Sequence, residues 1–230
     1  MHYNSILKLI SEKQKCLAIL IDPDKFSISE VTSFLKKIPE ETTHLFVGGS
    51  TVANGHTETA VKALKANCKL PVFLFPGDHS QITDKADALL FLSLISGRNP
   101  EYLIGQQVKS VEKLSKTNLE VIPTGYILVD GGNNSSVARV SGTAPMSQED
   151  VLQIVRTALA GQYMGAKLLY LEAGSGAQIP VLPGIISEVK KAISIPLIVG
   201  GGIRRKEQMN MAYGAGADMV VMGTVYETQI

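Results

Sequence analysis

Eight short apolar runs restrict the fold of this chain more than any other feature of its sequence. Each run is almost continuously apolar, which is typical of parallel strands buried on both faces rather than of strands with one wet face. The runs are Leu17–Asp22, His44–Gly49, Val72–Gly77, Ala88–Ile95, Glu120–Val129, Lys167–Gly174, Ile195–Gly202 and Met219–Thr224. We therefore predict a parallel sheet of eight strands.

Helical patterns lie between most of the runs, and this alternation predicts a (β/α)8 TIM barrel that forms a single domain over residues 1–230. The patterns are Glu101–Ser115, Gln148–Met164, Ile185–Ile193 and Arg205–Tyr213. An open doubly wound sheet is the alternative, although it needs fewer strands and usually has a glycine-rich turn after the first one. This chain has "DPDK" at that point.

Two segments depart from the regular alternation. The stretch between the third and fourth runs, "FPGDHSQITDKAD", leaves little room for a full helix, so we predict a loop there instead. Ser5–Gln14 precedes the first run and is free to form an extra helix that closes the barrel floor.

Charge and cysteine content exclude several classes of function. The net charge is +1 with both signs mixed along the chain, which argues against nucleic-acid binding. Cys16 and Cys68 have no metal-ligand spacing, and we expect reduced thiols in a cytoplasmic protein. The N-terminal segment carries charges throughout, so we expect neither a signal peptide nor a membrane span.

Glycines follow the seventh and eighth predicted strands, at the barrel edge where TIM-barrel active sites lie. The segment "GGGIRRKEQ" contains Gly201 and Gly202, and Gly223 with Thr224 follows about twenty residues later. Such turns let a phosphate approach main-chain amides at the start of a helix. They predict a phosphate site, although tight strand-to-helix turns alone would also explain them.

Oxygen-bearing side chains end the first two strands. Asp22 and Ser50 could supply carboxylate and hydroxyl ligands to Mg²⁺, which usually keeps waters and bridges to substrate phosphate. A helix cap or a simple turn would explain Asp22 equally well.

Glu172 ends the sixth strand and is followed by Gly174, Ser175 and Gly176. A carboxylate at the end of an apolar strand is positioned to act as a general base or to hold a substrate hydroxyl. A buried glutamate paired with a lysine or arginine is the structural alternative. Tyr126 and Arg98 also follow apolar stretches and are possible substrate contacts, although Arg98 could equally be a solvated loop residue.

Together and in this order, these motifs resemble those of the geranylgeranylglyceryl phosphate synthase family. The resemblance covers nearly the whole chain. The matching segments are "LIDPDK", "VGGST", "FPG", "SGRNP", "PTGYILVDGG", "YLEAGSGA", "IVGGGIR" and "GADMVVMGT". The resemblance implies a TIM barrel whose third helix is replaced by a loop. It also implies Mg²⁺-dependent transfer of a prenyl group from a polyprenyl diphosphate, with geranylgeranyl diphosphate as the expected donor, to the 3-hydroxyl of sn-glycerol 1-phosphate.

The resemblance also implies roles for individual residues. Asp22 and Ser50 would hold Mg²⁺, and Glu172 would accept or position the proton of the glycerol hydroxyl. The glycerol phosphate would contact Tyr170, Leu171, Glu172, Ala173, Gly174, Ser175, Gly176, Gly201, Gly202, Gly223 and Thr224. Family members generally form homo-oligomers, so we expect one here.

Two positions differ from the pattern of the family. One branch has a lysine two residues before the metal aspartate, where this chain has Leu20, which favours the other branch. The family also has asparagine at the position of Thr224.

A phosphosugar isomerase-like or aldolase-like barrel and a non-catalytic phosphate-binding protein stay open as alternatives.

Overall fold

The computed structural model describes residues 1–223 and contains a closed barrel of eight parallel strands. Each strand pairs with the next along the chain, and β8 pairs with β1. The TIM-barrel prediction is therefore confirmed. The strands are β1 (Cys16–Ile21), β2 (His44–Val47), β3 (Val72–Leu74), β4 (Ala88–Leu94), β5 (Glu120–Leu128), β6 (Leu168–Glu172), β7 (Leu197–Gly200) and β8 (Met219–Met222).

Eight helices surround the barrel within the described residues, and α1 is the extra helix expected at the N-terminus. It begins three residues earlier than predicted. Its Ile6 packs into the barrel interior, and Glu120 at the start of β5 accepts hydrogen bonds from the first amides of the helix. The helices are α1 (His2–Ser11), α2 (Val31–Lys37), α3 (His56–Asn67), α4 (Gln106–Leu114), α5 (Ser136–Ser141), α6 (Val151–Tyr163), α7 (Pro183–Ala192) and α8 (Lys206–Gly214).

Side chains alternate along each strand between the barrel interior and the layer under the helices. On β6, Leu168 and Tyr170 belong to the interior cluster, whereas Leu169 and Leu171 pack toward the helices. Glu172 has the same parity as Tyr170 and therefore faces inward at the carboxyl end of the strand. This alternation decides which residues of the "YLEAG" segment can reach the barrel mouth.

The barrel wall between β3 and β4 is short and has no α-helix in its connection. The short strand β3 pairs with β4 at only two positions, and the connection contains a 3₁₀ turn, His79–Gln81, instead of a helix. The predicted loss of the third helix is therefore confirmed, although β3 ends at Leu74 rather than at Gly77. Gln81 ties this turn to the end of β2, because its Nε2 donates to the Gly49 carbonyl at 2.9 Å.

The helices of the barrel do not have the character of membrane spans. Within residues 1–223, none is both long and apolar enough to cross a lipid bilayer.

Candidate active site

Glu172 lies at the carboxyl end of β6 and is only 5% exposed. Its Oε1 accepts a hydrogen bond of 2.7 Å from the Gly174 amide. Burial raises the pKa of Glu172 to about 7, because desolvation of the carboxylate outweighs the Gly174 amide and the Tyr170 hydroxyl, which act in the opposite direction. A carboxylate whose pKa is near neutral can accept a proton under physiological conditions.

Three aromatic rings surround the inner side of Glu172. Tyr170 lies 5.2 Å from Phe75 and 5.3 Å from Tyr126 between ring centroids, and Phe75 lies 5.9 Å from Tyr126. Burial, together with the nearby Glu172 carboxylate, raises the pKa of both tyrosines well above its ordinary value. Both hydroxyls are therefore neutral near pH 7, and the wall next to Glu172 is uncharged.

The Tyr170 hydroxyl is buried and has no partner in hydrogen-bonding geometry among the residues that the structure describes. Its closeness to Glu172 nevertheless lowers the pKa of that carboxyl. A hydroxyl so close to the carboxylate can turn toward it or toward a bound ligand.

The glycines at the end of β7 make room for Glu172. A Cβ atom on Gly201 would lie 2.5 Å from Glu172 Oε1 and 2.6 Å from the Gly174 nitrogen, and its φ of +82° is in the left-handed region. A Cβ on Gly200 would lie 2.2 Å from the Tyr170 hydroxyl oxygen. Close packing therefore requires glycine at these positions, in addition to the role of the segment as the predicted phosphate turn.

A small cavity lies beside Glu172, and the predicted phosphate turns form part of its wall. Ser175, Gly176, Gly201, Gly202, Gly223 and Arg204 line it. Sequence reasoning did not assign Arg204, whose guanidinium donates to the Ala177 carbonyl at 3.0 Å. The signal was present in "GGGIR", where a cation follows the glycine turn by two residues.

A larger cavity of about 440 Å³ begins at the barrel mouth and reaches Glu172. Asp22, Lys25 and Ser50 line one end, whereas apolar residues such as Leu89 and Phe91 line the opposite end. Leu20, Glu172 and Ser175 border both cavities. Glu172 therefore lies where the two cavities meet.

The surroundings of Asp22 and Ser50 indicate what kind of cation site these two residues could form. Asp22 accepts the Asp24 amide at 3.1 Å and pairs with Lys25 at 3.1 Å, so its carboxylate is already partly neutralised. No group of three or more histidine, cysteine or acidic side chains within residues 1–223 could hold a metal alone. One carboxylate and one hydroxyl fit a cation that takes its other ligands from water and substrate phosphate.

The segment after β5, Asp130–Pro145, is folded over the barrel mouth. It contains α5, whose Ser136, Val137 and Val140 line the large cavity. Asn99 donates to the Ser141 carbonyl at 2.7 Å, and the Tyr102 hydroxyl donates to the Val140 carbonyl at 3.2 Å. The segment therefore covers one side of the site and is attached to the start of the β4–α4 connection.

Some predicted site residues do not point into either cavity. Leu171 and Ala173 pack toward the helices, so only their main chain is available to a ligand. Arg98 is exposed and donates to the Gly97 carbonyl at 2.6 Å, which keeps its guanidinium on its own loop. Thr224 lies outside the described residues. Tyr126, by contrast, is buried and lines the large cavity.

Comparison with known proteins agrees with this geometry. The PcrB family is matched over residues 8–230. The chain is 56% identical over 224 residues to the geranylgeranylglyceryl phosphate synthase of Zunongwangia profunda, covering 97% of this chain and 96% of the relative. It is 51% identical over 226 residues to the protein of the same name from Flavobacterium johnsoniae, covering 98% and 93%.

A solved structure is similar over the whole barrel. The (S)-3-O-geranylgeranylglyceryl phosphate synthase of Thermoplasma acidophilum, solved in complex with its substrate sn-glycerol-1-phosphate, has a TM-score of 0.89 and 36% identity. The match covers 98% of this chain and 91% of that one.

Proposed function

The chain belongs to the PcrB family, and from this premise we propose that it is a prenyltransferase, forming the ether bond between a polyprenyl diphosphate and the 3-hydroxyl of sn-glycerol 1-phosphate. Geranylgeranyl diphosphate is the first donor to test. The observation that carries the proposal is the position of Glu172 between a small cavity bordered by the glycine turns and Arg204 and a larger, mostly apolar one. This arrangement suits a reaction that joins a phosphorylated polyol to a hydrocarbon chain.

Glycerol phosphate is proposed to bind in the small cavity, with its phosphate against Gly201, Gly202, Gly223 and Arg204. Main-chain amides at glycine turns and a guanidinium are suitable donors for a phosphate. The segment from Tyr170 to Gly176 would then lie along the glycerol backbone. In this orientation the 3-hydroxyl is directed toward Glu172.

Glu172 is proposed to receive the proton of that hydroxyl. The hydroxyl oxygen attacks the first carbon of the prenyl chain, the bond from that carbon to the diphosphate oxygen breaks, and diphosphate leaves with the electron pair. The proton passes to Glu172, so charge and atoms balance. A general base of this kind typically contributes about 10²–10⁴-fold in rate.

The diphosphate is proposed to lie at the polar end of the large cavity, close to Asp22, Lys25 and Ser50. Asp22 and Ser50 would hold Mg²⁺, which supplies charge stabilisation to the departing diphosphate. Lys25 pairs with Asp22 at 3.1 Å and lines the same part of the cavity, so its ammonium is also within the region that the diphosphate would occupy.

The prenyl chain is proposed to follow the apolar part of the large cavity, across the outer face of β4 where the third helix is missing. The rings of Phe75 and Tyr126 would border its reactive end. These surroundings keep water away from the carbon that develops positive charge, which favours the glycerol hydroxyl as the nucleophile.

A cytoplasmic homo-oligomer is the state that we propose for the enzyme. Ile104, Val108 and Val111 are more than half exposed and follow one face of the helical segment that includes α4. A stripe of this kind is typical of a contact between subunits. Cys16 and Cys68 are free thiols, as is usual in a reducing compartment.

The test is product formation from radiolabelled sn-glycerol 1-phosphate and prenyl diphosphates of several lengths, with and without Mg²⁺. We expect an organic-extractable product that requires Mg²⁺ and decreases about 10²–10⁴-fold in Glu172→Gln. Product in the presence of a metal chelator would contradict the role of Mg²⁺. Full activity of the variant would contradict the role of Glu172.

The same assay separates the proposed function from its alternatives. Absence of product at every chain length, with glycerol phosphate still bound, would favour an isomerase-like enzyme or a binding protein. An aldolase-like Schiff base on β6 has no support, because Lys167 lies at the barrel floor with its ammonium 5.4 Å from the centre of the Tyr3 ring.

A further inference from the structure

Gln81 is a buried glutamine in the 3₁₀ turn that connects β3 to β4, and it is only 3% exposed. Its carboxamide uses both ends. Nε2 donates to the Gly49 carbonyl at 2.9 Å, and Oε1 accepts the Gly77 amide at 3.2 Å and, in a longer contact of 3.4 Å, the Gly49 amide. Gln81 therefore contacts both main-chain polar groups of Gly49.

These contacts continue the pairing of the sheet past the end of β3. The register between β2 and β3 ends with Val47 opposite Leu74, and the Phe75 amide then donates to the Val47 carbonyl at 2.9 Å. Gly49 lies two residues farther along. A carboxamide offers the donor and the acceptor of a peptide group, so Gln81 takes the place of a strand residue beside Gly49.

Gly49 lies between the two residues that we propose as Mg²⁺ ligands. A Cβ atom on Gly49 would lie 3.3 Å from Asp22 Oδ1, and Ser50 follows it directly in the chain. From the other side, a Cβ on Gly77 would lie 2.6 Å from the Ser50 carbonyl oxygen. The position of Gly49 therefore sets how Ser50 lies relative to the Asp22 carboxylate.

We propose that Gln81 is a positioning residue for the Mg²⁺ site, because it holds Gly49 and thereby places Ser50 beside Asp22. This proposal rests on the proposed function, in which Asp22 and Ser50 are the metal ligands. Gln81 itself does not line the large cavity, so it acts through Ser50 rather than on the metal or the diphosphate. Mg²⁺ demands near-ideal octahedral geometry, so a displaced ligand weakens its binding.

The experiment measures how much Mg²⁺ improves the binding of geranylgeranyl thiolodiphosphate, an unreactive donor analogue in which sulfur replaces the bridging oxygen. The dissociation constant with a chelator, divided by the constant with Mg²⁺, defines the Mg²⁺ enhancement of each protein. Gln81→Met keeps a similar shape but removes the carboxamide, and it should lower the enhancement about tenfold. A ratio within one protein does not depend on the amount of folded enzyme.

The kinetics should separate in the same way. Gln81→Met should need about tenfold more Mg²⁺ for half-maximal rate, and kcat should approach the wild-type value at saturating Mg²⁺. KM for sn-glycerol 1-phosphate should stay within twofold. A loss of kcat that excess Mg²⁺ does not restore would overturn the inference, because it would indicate general damage to the site.

Ser50→Ala tests whether Gln81 acts through the Ser50 hydroxyl. It should lower the Mg²⁺ enhancement about as much as Gln81→Met does. The double variant should then be no lower than Ser50→Ala alone, because the two substitutions remove the same ligand. Losses that add in the double variant would overturn the inference.

Gln107→Met is the matched control. Gln107 is also a buried glutamine, 7% exposed, but its Nε2 donates to the Leu92 carbonyl on β4. Its replacement should change the Mg²⁺ enhancement less than twofold, because an effect on the prenyl tail alters both dissociation constants and cancels. An equal loss in this control would overturn the inference.

Gln81→Asn is a second variant in case Gln81→Met does not fold. It retains the carboxamide but is one methylene shorter, which draws the carboxamide back from Gly49. The Mg²⁺ enhancement should again fall about tenfold. An enhancement equal to that of the wild type in either Gln81 variant would overturn the inference.

Failure of the proposed function would be visible separately. If the wild-type protein forms no ether product at any chain length, the proposed function fails, whereas the Mg²⁺ enhancement still tests Gln81. If the wild type has no Mg²⁺ enhancement, there is no metal site for Gln81 to position and the inference is overturned. If product forms and the Gln81 variants match the wild type, only the role of Gln81 is lost.

Discussion

The β6–β7 side of the barrel mouth and the β3–β4 side are constructed in different ways. β6 and β7 are paired at four positions as far as Glu172 and Gly200, so the wall is continuous up to the site. β3 and β4 are paired at two positions, and beyond these strands side chains hold the wall together. The carboxamide of Gln106 on α4, for example, accepts the His79 amide at 2.8 Å.

This difference corresponds to what each side would bind. Main chain held by a continuous sheet suits a small charged ligand of fixed shape, because the amides cannot move away from their positions. An open wall lined by side chains suits a hydrocarbon chain, which needs volume and apolar contact rather than directed hydrogen bonds. We therefore expect substitutions on the β6–β7 side to reduce turnover, and those on the β3–β4 side to change substrate preference.

The largest effect is expected for Gly201→Ala. Its new methyl group would clash with Glu172 Oε1 and with two main-chain nitrogens. Displacing a reacting group by about 1 Å can cost about 100-fold, so we expect at least about a 100-fold loss of turnover in the prenyl-transfer assay.

Gly142→Ala is the matched control, because Gly142 also has a left-handed φ of +60° but nothing lies within 4 Å of its added Cβ. It should lose about 1 kcal/mol of unfolding free energy from backbone strain and keep nearly full turnover. If both variants lose activity equally, backbone conformation rather than crowding of Glu172 is the cause.

A smaller loss of activity is expected when the pH is lowered. The pKa of Glu172 is raised to about 7 and the base must be deprotonated, so kcat/KM should fall about tenfold for each pH unit below 7. The phosphate of the substrate also titrates near pH 6. The pH dependence of the residual kcat/KM of Glu172→Gln measures the contribution of the substrate phosphate alone. If kcat/KM of the wild type depends on pH in the same way as that of the variant, the role of Glu172 is contradicted.

The same titration predicts that the contribution of Glu172 to folding stability falls as pH rises, whereas activity increases. The folded state holds the Glu172 proton more tightly than the unfolded state, whose pKa is near 4.5. This contribution to stability is complete below pH 4.5 and is lost as pH rises through 7. Chemical denaturation should therefore show Glu172→Gln gaining stability relative to the wild type across this range, by at most about 3 kcal/mol.

The two sides also differ in how far the sequence predicted them. Glu172 and the glycines after β7 could be placed at the barrel mouth from the sequence, because they directly follow apolar runs that predict strands. The β3–β4 side was predicted only as a missing helix. Gln107 and Tyr102 were not assigned, because a glutamine or tyrosine in a helical pattern gives no sign that it faces a cavity.

Packing explains the remaining differences between prediction and structure. Leu171 and Ala173 were included with Glu172 as a segment, and only the alternation of the strand separates their side chains from the site. Arg98 directly follows Gly97 and Arg204 comes two residues after Gly202, and only the folded loops distinguish the two arginines. Arg98 donates to its own loop, whereas Arg204 lines the small cavity.

Arg204→Gln should have a moderate effect confined to the binding of glycerol phosphate. Loss of a charge-assisted contact to phosphate should raise KM for sn-glycerol 1-phosphate about tenfold and leave kcat nearly unchanged. Arg205→Gln is the matched control, because Arg205 is exposed and lines neither cavity. Equal increases in KM for the two variants would indicate a general electrostatic effect rather than a contact with the phosphate.

The smallest effect is expected for Tyr102→Phe on the β3–β4 side. The variant loses one hydrogen bond of 3.2 Å to the Val140 carbonyl on α5 and keeps the ring that lines the large cavity. A single exposed hydrogen bond contributes about 0.5–1.5 kcal/mol, and Asn99 still holds α5 through the Ser141 carbonyl. We expect turnover with the preferred prenyl diphosphate to change less than threefold, together with faster amide hydrogen exchange in α5. A loss as large as that of Gly201→Ala would mean that the attachment of α5 controls the chemistry, and the contrast between a rigid β6–β7 side and a tolerant β3–β4 side would then be wrong.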